Sequence, residues 1–164
     1  MLKSKILSDA EIRETLEAAT KERGRPVNIL FTCARGEVCS PTMSLTFQEH
    51  LRRRGFEKFF TSSSTGVYEE RRESLGLKPA DLLAHKFSGY DFVLPLAIGE
   101  PVSMWVSQHE AALAQMPPES RPTLIPYLIS DPDRGDIVDL IGEQYQEPYL
   151  QEIVRVLRQR LIKS

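Results

Sequence analysis

Cysteine is scarce in this sequence of 164 residues, which contains only two, Cys33 and Cys39. Two cysteines so close together do not form the disulfide framework of a secreted domain, and two thiolates are too few for a zinc site built from cysteines. Histidine is scarce as well, since the three histidines are dispersed and follow no spacing typical of metal ligands. The sequence therefore predicts neither a bound metal nor a cofactor.

Long hydrophobic runs are also missing. No stretch approaches the length of a membrane span, and residues 1–12 lack the continuous apolar core of a signal peptide. There is no excess of basic residues, because 21 lysines and arginines are scattered among 23 acidic residues, for a net charge of −2. We therefore expect a cytoplasmic protein that binds neither nucleic acid nor a membrane. The oligomeric state stays open.

Short runs rich in β-forming residues alternate with helical patterns along the chain. The β-type runs predict strands at residues 27–32, 58–63, 90–96 and 123–129. The helical patterns predict helices at residues 41–54, 101–116 and 148–162. This alternation predicts a single α/β domain with a four-stranded parallel sheet and helices on both faces. In such sheets ligands bind at the carboxyl ends of the strands.

A further helix is predicted ahead of the first strand. Residues 8–11 read as a capping box, Ser-Asp-Ala-Glu, and the pattern ends near Gly24. Ile12, Leu16 and Ala19 form its apolar stripe. Its charged face is interpreted as a solvated surface rather than a partner site.

The stretch that joins the first strand to the next helix predicts an anion site. The strand runs directly into Cys33, a short polar loop follows, and Ser40-Pro41 supplies an N-cap residue and a proline at the first helical position. A loop wrapped around a helix N-terminus directs backbone N–H groups and the positive end of the helix dipole at one point. A cysteine at the mouth of such a loop is expected to have a lowered pKa.

This arrangement resembles the low-molecular-weight protein tyrosine phosphatases and the arsenate reductases that share their fold. The family loop reads Cys, any residue, Gly-Asn, any residue, Cys-Arg-Ser-Pro. Aligned without a gap, Cys33 falls on the nucleophile, Ser40 on the serine and Pro41 on the proline. Downstream, residues 61–66 are similar to the family's Ser-Ser-Ala-Gly-Thr, and Asp131-Pro132 is similar to the Asp-Pro that supplies its general acid.

The resemblance implies a role for each loop residue. Cys33, Ser40 and Asp131 take the catalytic positions, although Asp-Pro pairs also simply start turns. The phosphate-binding positions are those between Cys33 and Ser40, namely Ala34, Arg35, Gly36, Glu37, Val38 and Cys39. The resemblance also divides the chain into an N-terminal helical extension, residues 1–26, and a phosphatase-like domain, residues 27–164.

One position breaks the match, because Cys39 stands where the family has its arginine. That arginine grips two phosphoryl oxygens with a geometry no cysteine can copy, and losing such a clamp costs on the order of 10³-fold or more in rate. The family's second cysteine is Val38 here, and its Gly-Asn pair is Arg35-Gly36. Gly36 reaches the left-handed conformation that a tight cradle needs. Arg35 could in principle reach back over the anion, from the opposite side of the loop.

Three functions are compatible with this pattern. The favoured hypothesis is a degenerate phosphatase that binds phosphate or a phosphorylated protein side chain with weak or absent hydrolysis. The first alternative is an active cysteine-dependent protein phosphatase on an altered substrate. The second is a thiol redox protein, similar to arsenate reductases, that uses Cys33 and Cys39. Cys39 is otherwise only a small residue tolerated where the arginine was lost, and whether the protein is an enzyme stays open.

Overall fold

The structure is a computed structural model that describes residues 6–33, 39–66, 86–95, 102–125 and 143–163. Within these residues, helices and strands follow one another in this order: α1 (Asp9–Arg23), β1 (Val27–Cys33), α2 (Cys39–Arg54), β2 (Phe60–Gly66), β3 (Phe92–Pro95), α3 (Val102–Ala114), β4 (Thr123–Leu124) and α4 (Glu143–Lys163). Short 3₁₀ turns at Glu57–Phe59 and Pro118–Ser120 lead into β2 and β4.

The four strands form one parallel sheet in the order β2-β1-β3-β4. β1 lies in the interior of the sheet, with Val27 opposite Phe60 of β2 and Ile29 opposite Phe92 of β3. Parallel neighbours need a crossover between them, which is why helices separate the strands along the chain. The predicted four-stranded parallel α/β sheet is confirmed.

Helices cover both faces of the sheet, and β1 is buried on both sides. Its residues Ile29 and Phe31 pack into the larger core with side chains of α1, α2 and α4. Leu30 points to the other face, where it packs with Val93 of β3 and Ala112 of α3. A strand covered on both faces is expected to be apolar almost throughout, as residues 27–31 largely are.

Aromatic rings tie the sheet to the helices of the larger core. The Phe31 ring meets Phe47 of α2 at 5.7 Å and Tyr149 of α4 at 6.2 Å between centroids, both edge to face. Phe47 also meets Phe60 of β2 at 5.8 Å. Edge-to-face pairs contribute about 0.5–1.5 kcal/mol each beyond the area they bury. This packing fixes α2 against the strand whose end it follows.

The helix predicted ahead of the first strand is confirmed as α1. The Ser8 hydroxyl accepts from the Glu11 N–H at 3.2 Å, and the Ser8 N–H donates to the Glu11 carboxylate at 3.3 Å, which completes the capping box. The helix ends at Gly24, whose φ of 71° is left-handed. The predicted apolar stripe is buried and belongs to the larger core: Ile12, Leu16 and Ala19. The division of the chain at residue 26 stays a prediction.

Element boundaries differ from the predicted ones in several places. The last helix was expected to start at Pro148 and instead begins at Glu143, with Pro148 inside it. Pro148 is the sixth residue of this helix, beyond the first four N–H groups that have no intrahelical partner, so the general preference of proline for the first turn misplaced the predicted start. β2 starts two residues later than expected and extends to Gly66, because the residues before it form a 3₁₀ turn. The predicted continuation of β4 to residue 129 lies outside the described residues.

Candidate functional site

The carboxyl ends of three strands meet at one edge of the sheet. β1 ends at Cys33, which lies opposite Gly66, the last residue of β2. Thr32 lies opposite Pro95, the last residue of β3. Ligands of parallel α/β sheets bind at this edge. The structure therefore brings the backbone of Cys33 and the end of the segment at residues 61–66 together at this edge.

α2 begins at Cys39, six residues beyond Cys33, the last residue of β1. The first N–H groups of an α-helix have no partner within the helix, and the helix dipole is positive at this end. No acidic side chain occupies the first turn of α2. The described backbone is thus a strand that ends in a cysteine and, after residues 34–38, the N-terminus of a helix.

Two serines, Ser44 and Ser62, fix the first half of α2 to β2. The hydroxyl groups of Ser44 and Ser62 share a hydrogen bond of 2.9 Å, and the Ser62 hydroxyl also accepts from the Gln48 side-chain amide at 2.9 Å. Ser44 is 8% exposed, so its hydroxyl depends on this partner. These bonds hold the N-terminal half of α2 at a set distance from the strand beside β1.

A buried pair that the sequence reasoning missed lies next to Cys33. Thr32 Oγ1 and His109 Nε2 share a hydrogen bond of 2.7 Å, and both residues are 0% exposed. The His109 ring of α3 stacks on Phe87 at 5.6 Å. The available signal was the spacing of His109, Ala112 and Met116, which places the histidine on the buried stripe of its helix. This pair anchors the residue immediately before Cys33 to the helix on the other face of the sheet.

The start of α4 contacts α2 near the same edge. The Gln146 side chain is 1% exposed, and its amide donates to the Met43 sulfur at 3.7 Å. Met43 lies in the second turn of α2 and is itself 1% exposed. The N-terminal parts of α2 and α4 therefore lie side by side.

Farther along the same two helices, Glu147 is the centre of a polar network. Its carboxylate accepts from the Gln151 amide at 2.9 Å and lies 2.8 Å from His50 Nε2, and Arg54 also donates to it. Burial raises the pKa of Glu147, but the hydrogen bonds from Gln151, His50 and Arg54 outweigh burial, and the net pKa lies below its usual value. Gln151 continues the network to Leu7, whose N–H donates to it at 2.8 Å. The network joins α2, α4 and the segment before α1.

The predicted site residues divide into two groups. The backbone of Cys33 ends β1, and Cys39 and Ser40 open α2. The others lie outside the described residues: Ala34, Arg35, Gly36, Glu37, Val38 and Asp131. Their roles, and those of Cys33, Cys39 and Ser40, stay predictions. Among the described residues, no group of three or more histidine, cysteine, aspartate or glutamate side chains could hold a metal ion.

Comparison with known proteins bears on the fold. The sequence matches no family model and no curated protein. Among solved structures, the crystal structure of YfkJ from Bacillus subtilis superimposes with a TM-score of 0.52, covering 84% of this chain and 98% of that chain at 13% sequence identity. The two chains share a fold. It is low-molecular-weight phosphatase-like, as the sequence predicts. At this identity the likeness concerns the fold alone.

None of the described helices combines the length and the apolar character that a membrane-spanning helix requires.

Proposed function

We propose that this protein is a degenerate relative of the low-molecular-weight phosphatases that binds phosphate or a phosphorylated protein side chain in the loop at residues 33–40. The observation that carries the proposal is the placement of Cys33 at the end of β1 and of Cys39 at the start of α2, within a phosphatase-like fold. Hydrolysis is weak or absent in this proposal, because Cys39 occupies the position at which the family has its arginine.

Anion binding does not require that arginine. In the first turn of α2 three backbone N–H groups have no hydrogen-bond acceptor within the helix, those of Cys39, Ser40 and Thr42. Pro41 has no N–H group. Aligned N–H groups and the positive end of the dipole make a ready anion site, and no acidic side chain in this turn competes for them. The buried anchors of α2 at Ser44 and Phe47 keep the donors in place without an anion.

Fast hydrolysis does require a cation on the phosphoryl oxygens. A guanidinium group offers two parallel donors to two oxygens of the transition state, and a thiol offers one weak donor. Removing one such contact typically costs about 10²–10³-fold in rate. A protein that has the cysteine nucleophile but lacks the arginine is therefore expected to bind its ligand and to hydrolyse it slowly. If Arg35 supplied the cation instead, the protein would be an active phosphatase on an altered substrate, which is the first alternative.

Selective alkylation tests the proposed site. Brief iodoacetamide treatment near neutral pH should label Cys33 faster than Cys39, because only Cys33 lies where the donors converge and stabilise a thiolate. Inorganic phosphate or vanadate should slow the labelling of Cys33, whereas sodium chloride at the same ionic strength should not. Peptide mass spectrometry reads both cysteines in one sample. Equal labelling of the two, or no protection by either oxyanion, contradicts the proposal.

A thiol redox function is the second candidate, because Cys33 ends β1 and Cys39 begins α2, with five residues between them. In that chemistry the Cys33 thiolate attacks peroxide to give a sulfenic acid and hydroxide, and the Cys39 thiol then displaces water to form a disulfide. Mild peroxide should then join the two cysteines in a bond that dithiothreitol reverses. If only sulfinic acid on Cys33 is found, the redox candidate is wrong. Either function needs reduced thiols, which agrees with a cytoplasmic location.

A further inference from the structure

A polar pocket lies at the end of the sheet opposite Cys33. It has a volume of about 570 Å³. It lies at the starts of β1 and β3, beside the 3₁₀ turn that precedes β4. Four arginines line it, and they come from three segments of the chain: Arg23 and Arg25 at the end of α1 and just after it, Arg121 before β4, and Arg160 in α4. We call this the arginine pocket. Its volume falls in the range of about 300–1,000 Å³ that is typical of small-molecule sites.

The charge of the arginine pocket differs from that of the whole chain. The carboxylates that line it are those of Asp91 and Glu119, so the four guanidinium groups leave an excess of two positive charges. The complete chain has a net charge of −2. Positive charges that are not paired with acids repel one another. The fold must therefore supply the free energy that keeps these arginines close together.

Asp91 neutralises one side of the pocket. Arg25 grips its carboxylate with both terminal nitrogens, at 2.8 and 3.0 Å, and the Asn28 N–H donates to it at 2.8 Å. Arg23 lies farther away, 3.8 Å from the same carboxylate. Burial raises the pKa of Asp91, but the bonds from Arg25 and Asn28 outweigh burial and keep the carboxylate ionised. Asp91 therefore has little capacity left for further cations.

Arg160 reaches the pocket from α4 without a carboxylate of its own. Its guanidinium lies over the Phe92 ring at 5.5 Å and donates to the Thr123 hydroxyl. No ion pair of Arg160 occurs within the described residues. Partial burial and the neighbouring charge of Arg23 lower the pKa of Arg160, in spite of the opposing effect of Asp91. Arg160 is thus a cation of the pocket that has no carboxylate partner among the described residues.

Arg121 supplies a second cation of this kind. Its Nε donates to the Met116 carbonyl at 2.8 Å and its Nη2 to the Ala114 carbonyl at 3.2 Å, so neutral carbonyls at the end of α3 hold it. Arginine near the C-terminus of a helix is favourable for that helix, and Arg121 forms no ion pair in the described part of the chain. Two fixed guanidinium groups therefore border one concave surface.

We propose that the arginine pocket binds a small molecule that carries a phosphate group. A phosphate dianion matches the excess of two positive charges, and guanidinium groups recognise phosphate through paired donors. Ser88 and Ser120 line the same pocket and can add hydroxyl donors to the phosphate or to the rest of the molecule. The site is separate from the loop at residues 33–40, because β1 spans seven residues, or about 20 Å, between the two ends of the sheet.

Titration with inorganic phosphate and with pyrophosphate, followed by amide chemical shifts of the full chain, tests this site. The amides of Gly89 and Ser120 should shift and saturate, at an ionic strength held constant with sodium chloride. In Arg160→Gln the dissociation constant from these amides should rise about tenfold, the effect expected of one charged hydrogen bond. Arg121→Gln should have a similar effect, which guards against misfolding of one variant.

Arg158→Gln is the matched control. Arg158 lies on the same helix as Arg160 and pairs with Glu11 of α1 at 2.7 Å. Its substitution by glutamine removes the same charge as Arg160→Gln. It should leave the dissociation constant within about twofold, because it does not line the pocket. If the shifts are confined to residues 39–42, or if Arg158→Gln weakens binding as much as Arg160→Gln, the arginine pocket is not a phosphate site. Shifts at residues 39–42 report on the proposed cysteine-loop site independently.

Discussion

Thr32→Val removes one hydroxyl at the point where the sheet meets the candidate loop. Thr32 and valine have nearly the same shape, so the substitution leaves the packing of β1 intact and deletes the 2.7 Å hydrogen bond to His109. The Nε2 atom of His109 then loses this hydrogen bond at a position where the residue is 0% exposed, so water cannot replace the hydroxyl.

The expected cost follows from that burial. A buried polar group left without its partner costs about 1–3 kcal/mol, more than the net value of about 1 kcal/mol for a typical hydrogen bond. The small gain from burying an extra methyl group offsets part of this cost. We expect Thr32→Val to lower the free energy of unfolding by about 1–2 kcal/mol, whichever of the two residues donates the proton.

Urea denaturation at pH 7 measures this change, with Thr32→Ser as the control. Serine keeps the hydroxyl and loses a methyl group, so it should retain the interaction with His109. A double-mutant cycle of Thr32→Val with His109→Leu should give a coupling energy of about 0.5–3 kcal/mol, as residues in direct contact do. If Thr32→Val is as stable as the wild type and the cycle shows no coupling, the buried pair does not anchor the end of β1.

Glu147→Gln should destabilise the protein at pH 7, because Glu147 has a lowered pKa and its ionised form binds His50 and Arg54. The stabilisation by ionised Glu147 is present above the unfolded pKa of about 4.3 and is lost as the pH falls through the folded pKa. The difference in free energy of unfolding between wild type and Glu147→Gln should therefore shrink between pH 5 and pH 3. A difference that does not depend on pH contradicts this prediction. Gly24→Ala should cost about 1 kcal/mol in thermal unfolding, since φ is 71° with no atom nearby, and Gly24→Asn should cost less.

Local patterns carried most of the fold. The capping box of Ser8 and Glu11, the left-handed stop at Gly24 and the apolar stripe between them predicted α1 because each acts within a few residues. β1 and β3 were predictable because strands that are buried on both faces leave nearly continuous apolar runs. Pro148 misled the prediction of α4, since its preference for the start of a helix does not exclude the next turn.

Long-range pairs were beyond sequence reasoning. Thr32 and His109 are separated by 77 positions, and nothing in either local pattern states that the hydroxyl and the ring meet. The arginine pocket is similar, because Arg25, Arg121 and Arg160 appear in the sequence as scattered charges of a near-neutral chain. The sequence predicts well that charged residues lie at the surface, but it does not predict which partners they meet, because only the fold brings those partners together.

Restoring arginine at position 39 tests the central claim that the loop lacks one contact for catalysis. Cys39→Arg places a planar cation on the first residue of α2, where it can hold two phosphoryl oxygens in the transition state. Turnover of p-nitrophenyl phosphate should rise by at least about 100-fold over the wild type, and the gain should vanish when Cys33→Ser is added. A wild-type rate that the substitution does not raise, or a folded Cys39→Arg protein that stays inert, contradicts the account.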